Sequence, residues 1–214
     1  MANFATHAAG GLVAGGLSAF LSVSVFGLEH WAFAGASAIA GFVGSMVPDI
    51  DHDEAIPIRE VFGILAALVP GMALPWLTRN YFDTETAICF FAAAYCGIRF
   101  VVAPIFKRFT VHRGIFHSIP FILLAGEAVA LGLVGLGPRE RVIIGASVVL
   151  GALTHLVLDE VFAVNFLGMK MKKSFGTAIK LWAPSLPATL VCYAALVVLS
   201  WQLWSRVGHK LPWF

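Results

Sequence analysis

Apolar stretches of about 18 to 20 residues recur along this chain of 214 residues, and a helix needs about that length to cross the hydrocarbon core of a bilayer. Charged residues make up 12% of the chain, whereas a soluble domain carries about 25%. So few charges cannot cover a water-facing surface. The sequence therefore predicts an all-α polytopic transmembrane helix bundle.

The apolar stretches predict about seven membrane helices within a single domain that covers residues 1–214. The expected spans are 9–28, 32–47, 61–78, 86–104, 118–136, 142–160 and 186–204. Glycines are frequent in the first two spans, and small residues let membrane helices approach closely. A tightly packed helical pair is expected there. The net charge of +2 is too small to indicate a nucleic-acid partner.

Histidine and aspartate gather where these stretches end. They form four clusters, at His7, 48–53, 112–118 and 155–159. Counting membrane crossings from the N-terminus places all four clusters on the same side of the bilayer. The pattern predicts one interfacial metal site, assembled from segments that are distant in sequence.

The pair His155 and Asp159 has helical spacing. Residues four apart lie on one face of a helix, so both side chains can hold the same ion. An ionised aspartate at the centre of a bilayer costs about 2.5–3.5 kcal/mol, and a bound cation would offset that cost. Alternatively, the two side chains hydrogen-bond each other as a packing pair.

The segment after Pro48 is rich in carboxylates. Pro48 discourages continuation of the helix, and Asp49, Asp51 and His52 follow it. Carboxylate with imidazole suits Zn²⁺, Mn²⁺ or Fe better than Ca²⁺, which prefers oxygen ligands only. The alternative is a solvated acidic loop that caps a helix.

The third cluster combines two histidines with an arginine. His112 and His117 flank Arg113, and Ser118 is placed to cap the fifth helix. A helix N-terminus beside an arginine predicts a site for phosphate or carboxylate. Alternatively, Arg113 anchors the chain at the membrane surface and the histidines lie at the lipid interface. Which histidine is a metal ligand and which acts as a base stays open.

Together the clusters predict a site for one or two divalent ions, zinc or else manganese or iron. Two metal ions about 3.5–4 Å apart can clamp the oxygens of a phosphoester displacement. The predicted metal ligands are His7, Asp49, Asp51, His52, His112, His117, His155 and Asp159, and the predicted catalytic residues are Asp51, His112 and Arg113. The expected function is hydrolysis of a phosphoester. A metal-ion transporter or metal sensor is the alternative, but transport sites lie near the bilayer midplane.

The ordered motifs resemble a known family. Pro-Asp-Ile-Asp-His at 48–52, His-Arg-x3-His-Ser at 112–118 and His-Leu-x2-Asp at 155–159, preceded by His7, are similar to those of the YdjM-like proteins. These are LexA-regulated inner-membrane proteins of bacteria and archaea, regarded as metal-dependent hydrolases. The resemblance implies a membrane-embedded zinc-type hydrolase in the inner membrane, loosely similar in its ligands to zinc-dependent phospholipases C.

Basic residues indicate the orientation and one surface segment. Eight Lys and Arg fall on the side of the clusters and five on the other side, and positively charged short loops stay cytoplasmic. The metal face is therefore expected to be cytoplasmic. The segment 161–185 mixes apolar residues with lysines, which favours an interfacial helix that attracts anionic lipid headgroups. The expected partners are the bilayer and a lipid or lipid-linked phosphoester.

Overall fold

Apolar α-helices make up most of the chain in the computed structural model, which describes residues 4–28, 30–51, 57–105, 115–165, 170–171 and 179–210. The helices are α1 Phe4–Ser24, α2 Trp31–Gly44, α3 Pro57–Asn80, α4 Thr84–Cys96, α5 Ile119–Gly132, α6 Pro138–Val161 and α7 Leu186–Arg206. Helix α4 continues as a π-helix over Gly97–Val102. The predicted all-α membrane bundle is confirmed.

Five of these helices are long and apolar enough to cross a bilayer, while α2 and α5 have only 14 residues each. A 14-residue helix is about 21 Å long, shorter than the roughly 30 Å core. The end of α2 and the start of α5 lie at the same end of the bundle. There 3₁₀ turns, Pro48–Asp51 after α2 and Ile115–His117 before α5, replace the last helical turns. The expected spans 32–47 and 118–136 are therefore present as the shorter apolar helices α2 and α5.

Helix α6 is the centre of the bundle. It packs against α1, α2 and α5, and more than half of the residues in its most apolar stretch are buried. Ile122 of α5 and Leu156 of α6 are completely buried against each other with Ala152. Helix α7 packs on α5, whereas α3 and α4 pack mainly on each other at the periphery.

The close pairing of α1 and α2 follows from their small residues. A Cβ added to Gly15 would lie 2.5 Å from the carbonyl oxygen of Ala38. Only a residue without a side chain permits this approach, which brings the two backbones into contact along the pair. The predicted tight helical pair is present.

Beyond Val161, the end of α6, the segment 161–185 is not helical in its described parts. Val164–Asn165 (β1) and Lys170–Met171 (β2) form a short antiparallel pair. Lys180 then forms a parallel bridge to Ser118, and its carbonyl accepts from the Ile119 amide at 2.9 Å. The expected interfacial helix is wrong for these residues, because their main chain pairs across segments.

Arg141 stabilises the bundle at the end opposite the Pro48–Asp51 and Ile115–His117 turns. Its guanidinium donates to the carbonyls of Ala130 at 2.8 Å and Leu131 at 3.0 Å, in the last turn of α5. The last carbonyls of a helix have no partner within that helix. In the sequence Arg141 counted only as one positive charge of its loop, yet the structure buries it.

Replacing Arg141 by methionine is expected to lower the free energy of unfolding by about 1.5 kcal/mol, the low end for hydrogen bonds from a charged donor, because water can reach part of this site. Thermal unfolding in detergent measures the change. Arg79→Met, an exposed basic residue in the last turn of α3, is the control. Equal stability of the two variants would contradict a capping role.

Candidate metal centre

Residues from four segments meet at the end of the bundle where α2 finishes and α5 begins. His7 lies in the second turn of α1, Asp49 in the turn after α2, and His117 in the turn before α5. His155 and Asp159 occupy the last two turns of α6. They meet because α1 and α5 begin at this end, whereas α2 and α6 finish there.

The side chains approach one another through ligand-type atoms. His7 Nε2 lies 3.3 Å from Asp159 Oδ1, and His155 Nε2 lies 3.5 Å from Asp49 Oδ1. His117 Nε2 lies 3.7 Å from Asp49 Oδ1 and 3.8 Å from Asp159 Oδ2. The imidazoles of His7 and His155 are stacked, with centroids 3.7 Å apart. All four contacts exceed the roughly 3.2 Å limit of an ordinary N–H···O hydrogen bond.

These separations match the spacing around a metal ion. Zinc held tetrahedrally by ligands at about 2.1 Å separates neighbouring ligand atoms by about 3.4 Å. The four separations scatter around that value. Two groups of three residues have all their ligand atoms within 4.8 Å: His7, Asp49 and His155, and His117, His155 and Asp159. The donor set therefore fits a divalent transition metal.

The cluster is almost completely shielded from solvent. His7, His117, His155 and Asp159 are each at most 2% exposed. Among the described residues, His7 Nδ1 and His155 Nε2 are buried and make no hydrogen bond. A buried polar atom without a partner costs about 1–3 kcal/mol. A bound cation would remove that cost for His155 and neutralise the two carboxylates.

A main-chain carbonyl sets the tautomer of His155. Its Nδ1 lies 2.7 Å from the carbonyl oxygen of Ser45. A carbonyl only accepts, so Nδ1 carries the proton and Nε2 presents a lone pair toward Asp49. Metal-binding histidines commonly have such an outer hydrogen bond, which orients the ring. Ser45 is the C-cap residue of α2, so the end of that helix positions the imidazole.

The two site residues outside the membrane helices have the protonation states that metal binding requires. Burial raises the pKa of the Asp49 carboxyl, but contact with His155 and the neighbouring imidazoles outweighs burial and holds it at about 2. Burial, reinforced by the neighbouring His155, lowers the pKa of the His117 imidazole to about 3. At neutral pH, Asp49 is ionised and His117 is neutral, as metal ligands must be.

Comparison with known protein families assigns the chain to one of them. A family model described as YdjM inner membrane protein matches residues 1–202, which include all five clustered residues. The chain belongs to the YdjM inner membrane protein family. No curated protein and no solved structure matches the chain significantly.

Four predicted site residues of this YdjM family member are not placed. His52, His112 and Arg113 lie outside the described residues, and only the backbone of Asp51 is described. Their predicted roles, as ligands and as the catalytic residues Asp51, His112 and Arg113, stay predictions.

The start of α5 differs from the predicted anion site. Ser118 occupies the N-cap position without making a side-chain cap, and its Oγ donates to the carbonyl of Ile115 at 2.5 Å. The Ile119 amide donates to the Lys180 carbonyl, Pro120 has no N–H, and the Phe121 amide donates to the Ser118 carbonyl. These three positions offer no amide to an anion. An anion at this helix start would therefore depend on side chains, and Arg113, which the sequence also predicts there, lies outside the described residues.

Two residues near the site were not identified in the sequence. Ser45 acts through its main-chain carbonyl, which every residue type possesses, so no side-chain pattern could reveal it. Lys180 lies 63 positions after His117, in the segment 161–185, where the sequence favours an interfacial helix. Only the pairing of its backbone with Ser118 and Ile119 places it beside the cluster.

Proposed function

We propose that this YdjM family member is a membrane-embedded, metal-dependent hydrolase that cleaves a phosphoester of a lipid or lipid-linked substrate. The observation that carries the proposal is the buried histidine and carboxylate cluster, whose ligand atoms are 3.3–3.8 Å apart. A structural packing cluster would be expected to close these gaps to hydrogen-bond length.

The described residues suffice to hold one ion. Because Nδ1 of His155 is engaged by Ser45, His155 can offer only Nε2, so the two groups that share it cannot each bind a separate ion through His155. Zinc suits the mixed nitrogen and oxygen donors, and manganese or iron would also fit. When bound, such an ion supplies a water activated at neutral pH and a Lewis acid for the phosphoryl oxygen.

The position of the cluster favours hydrolysis over transport. Transport sites lie near the bilayer midplane on broken helices, whereas this cluster lies at one end of the bundle. His155 is six residues from the end of α6, which is about 9 Å along a helix. His155 is thus recessed by about two helical turns from the end of α6 and lies away from the middle of the bundle. The excess of Lys and Arg in the sequence favours a cytoplasmic location for this end.

The proposal predicts metal-dependent hydrolysis of a phosphoester, which releases phosphate from phosphatidic acid and phosphocholine or choline from phosphatidylcholine. Purified protein in detergent is treated with a chelator, reloaded with Zn²⁺, Mn²⁺ or Fe²⁺, and assayed on short-chain phosphatidic acid and phosphatidylcholine. We expect chelation to abolish hydrolysis and one metal to restore it, because the protein groups alone supply no activated water. Zn²⁺ flux into proteoliposomes without hydrolysis of any phosphoester tested would overturn the proposal in favour of transport.

A further inference from the structure

A short strap, defined here as residues 179–183, lies across the start of α5 at the metal end of the bundle. Hydrogen bonds tie it down along its length. The Ile179 amide donates to Glu160 Oε1 at 3.4 Å and the Lys180 carbonyl accepts from the Ile119 amide. Tyr193 Oη donates to the Leu181 carbonyl at 3.0 Å, and the Ala183 amide donates to Thr189 Oγ1 at 3.0 Å. The strap is therefore held by α5, α6 and α7 together.

These bonds place Lys180 beside the candidate site. Lys180 pairs with Ser118, the residue that follows His117 in the chain. The bridge to Ser118 and the bond from the Ile119 amide to the Lys180 carbonyl, at 2.9 Å, hold the Lys180 backbone next to the segment that carries His117. Lys180 itself is half-buried. A basic side chain on a fixed backbone thus lies next to one of the five clustered residues.

The neighbours of Lys180 in the strap face outward and are apolar. Ile179, Leu181 and Trp182 are 49%, 52% and 67% exposed. Tryptophan is enriched at the membrane–water interface, where its ring sits at headgroup level. An amphiphile at this place would meet an ammonium group with apolar side chains on both sides. That combination matches a phosphate headgroup attached to a hydrocarbon chain.

We propose that Lys180 is a substrate-binding residue, which holds the anionic phosphoryl group of a lipid-borne substrate beside His117. This inference rests on the proposed function and names its substrate chemistry. Among the described residues of the cluster, two carboxylates balance the charge of a divalent metal ion, so an anionic phosphoryl group beside them calls for a further cation. Lys180 supplies this cation, whereas the amides at the start of α5 already donate to main-chain carbonyls.

Phosphonates test the inference, because their carbon–phosphorus bond resists phosphoester hydrolysis. Methylphosphonate represents a water-soluble substrate, and octylphosphonate carries the same headgroup on a hydrocarbon chain. Both are titrated calorimetrically into zinc-loaded protein in detergent. The variants are Lys180→Met and the charge-preserving Lys180→Arg. Lys210→Met is the control, since exposed Lys210 follows the far end of α7.

We expect Lys180→Met to weaken octylphosphonate binding by about tenfold or more, as for loss of a hydrogen bond from a charged donor. Lys180→Arg should stay within about threefold of wild type, because it keeps the charge, and Lys210→Met should be unchanged. All variants should fold and retain metal, since the strap is tied at position 180 through its main chain. Octylphosphonate should bind more tightly than methylphosphonate.

Unchanged binding by Lys180→Met, or no binding of either phosphonate to wild type, would overturn the inference. Equal affinity for the two phosphonates would overturn the lipid part and indicate a water-soluble phosphoester. Failure of the proposed function is distinguishable, because it shows as absent metal or absent hydrolysis. The effect of Lys180→Met on phosphonate binding is measured without turnover. The same titrations are repeated on chelator-treated protein.

Discussion

Replacing His155 by alanine is expected to lower metal affinity by more than about 100-fold, beyond the 10- to 100-fold typical of outer-shell partners. His155 belongs to both groups of candidate ligands, and its Nε2 is already oriented by the Ser45 carbonyl. Wild-type protein should hold about one ion per chain, because His155 offers a single nitrogen. Elemental analysis after gel filtration measures the content, and hydrolysis should disappear with the metal.

A matched control uses a histidine at the opposite end of the bundle. His30 is the exposed N-cap residue of α2, so His30→Ala should retain the metal. Asp159→Asn is a second test that conserves volume, and it should also lose metal because it removes one of the two carboxylates. Normal metal content in His155→Ala and Asp159→Asn would show that the cluster serves packing alone.

Replacing Gly151 by alanine is expected to reduce the free energy of unfolding by about 3 kcal/mol or more, at the upper end for overpacked interiors. The added Cβ would overlap the main-chain carbonyl of Gly41 and lie 2.8 Å from the Ser45 amide. Backbone atoms cannot rotate away as a side chain can, so α2 and α6 would have to separate. Thermal unfolding of the detergent-solubilised protein measures the loss.

The same substitution should also weaken metal binding. Separating α2 from α6 lengthens the contact between the Ser45 carbonyl and His155 Nδ1, now 2.7 Å, and so releases the imidazole from its tautomer. Gly16→Ala is the control, because a Cβ there meets no atom within 4 Å. We expect Gly16→Ala to be neutral or slightly stabilising. Equal effects of the two substitutions would show that the α2–α6 contact is not tight.

The site could be anticipated in part because its chemistry depends on residue type. Metal binding requires imidazole and carboxylate, which are rare in an apolar chain, so their positions at helix ends were visible in the sequence. His155 and Asp159 have a helical period, and their shared face follows from that spacing. The structure adds Ser45 and Lys180, whose placement depends on main-chain contacts that leave no pattern in residue type.

For Arg141 and Ser118 too, the sequence shows the chemistry of the side chain, and the structure shows which partner it binds. In the sequence one is a positive charge and the other a potential helix cap, and both assignments follow from side-chain chemistry. In the structure Arg141 donates to carbonyls of α5, and Ser118 donates to Ile115 instead of capping. Several partners compete for each polar group, and the distances between elements decide which one is nearest.

The class of the protein, the approximate membrane helices and the end of the bundle at which the polar clusters lie can all be predicted from the amino-acid sequence. These features follow from the length and apolarity that a bilayer imposes on each segment locally. Three features become visible only in the folded chain: the shortness of α2 and α5, the approach of five ligand-type residues to within a few ångströms, and the position of Lys180 beside them. Such distances depend on the rotation and approach of neighbouring helices, and at Gly151 that approach is set by the absence of a single Cβ.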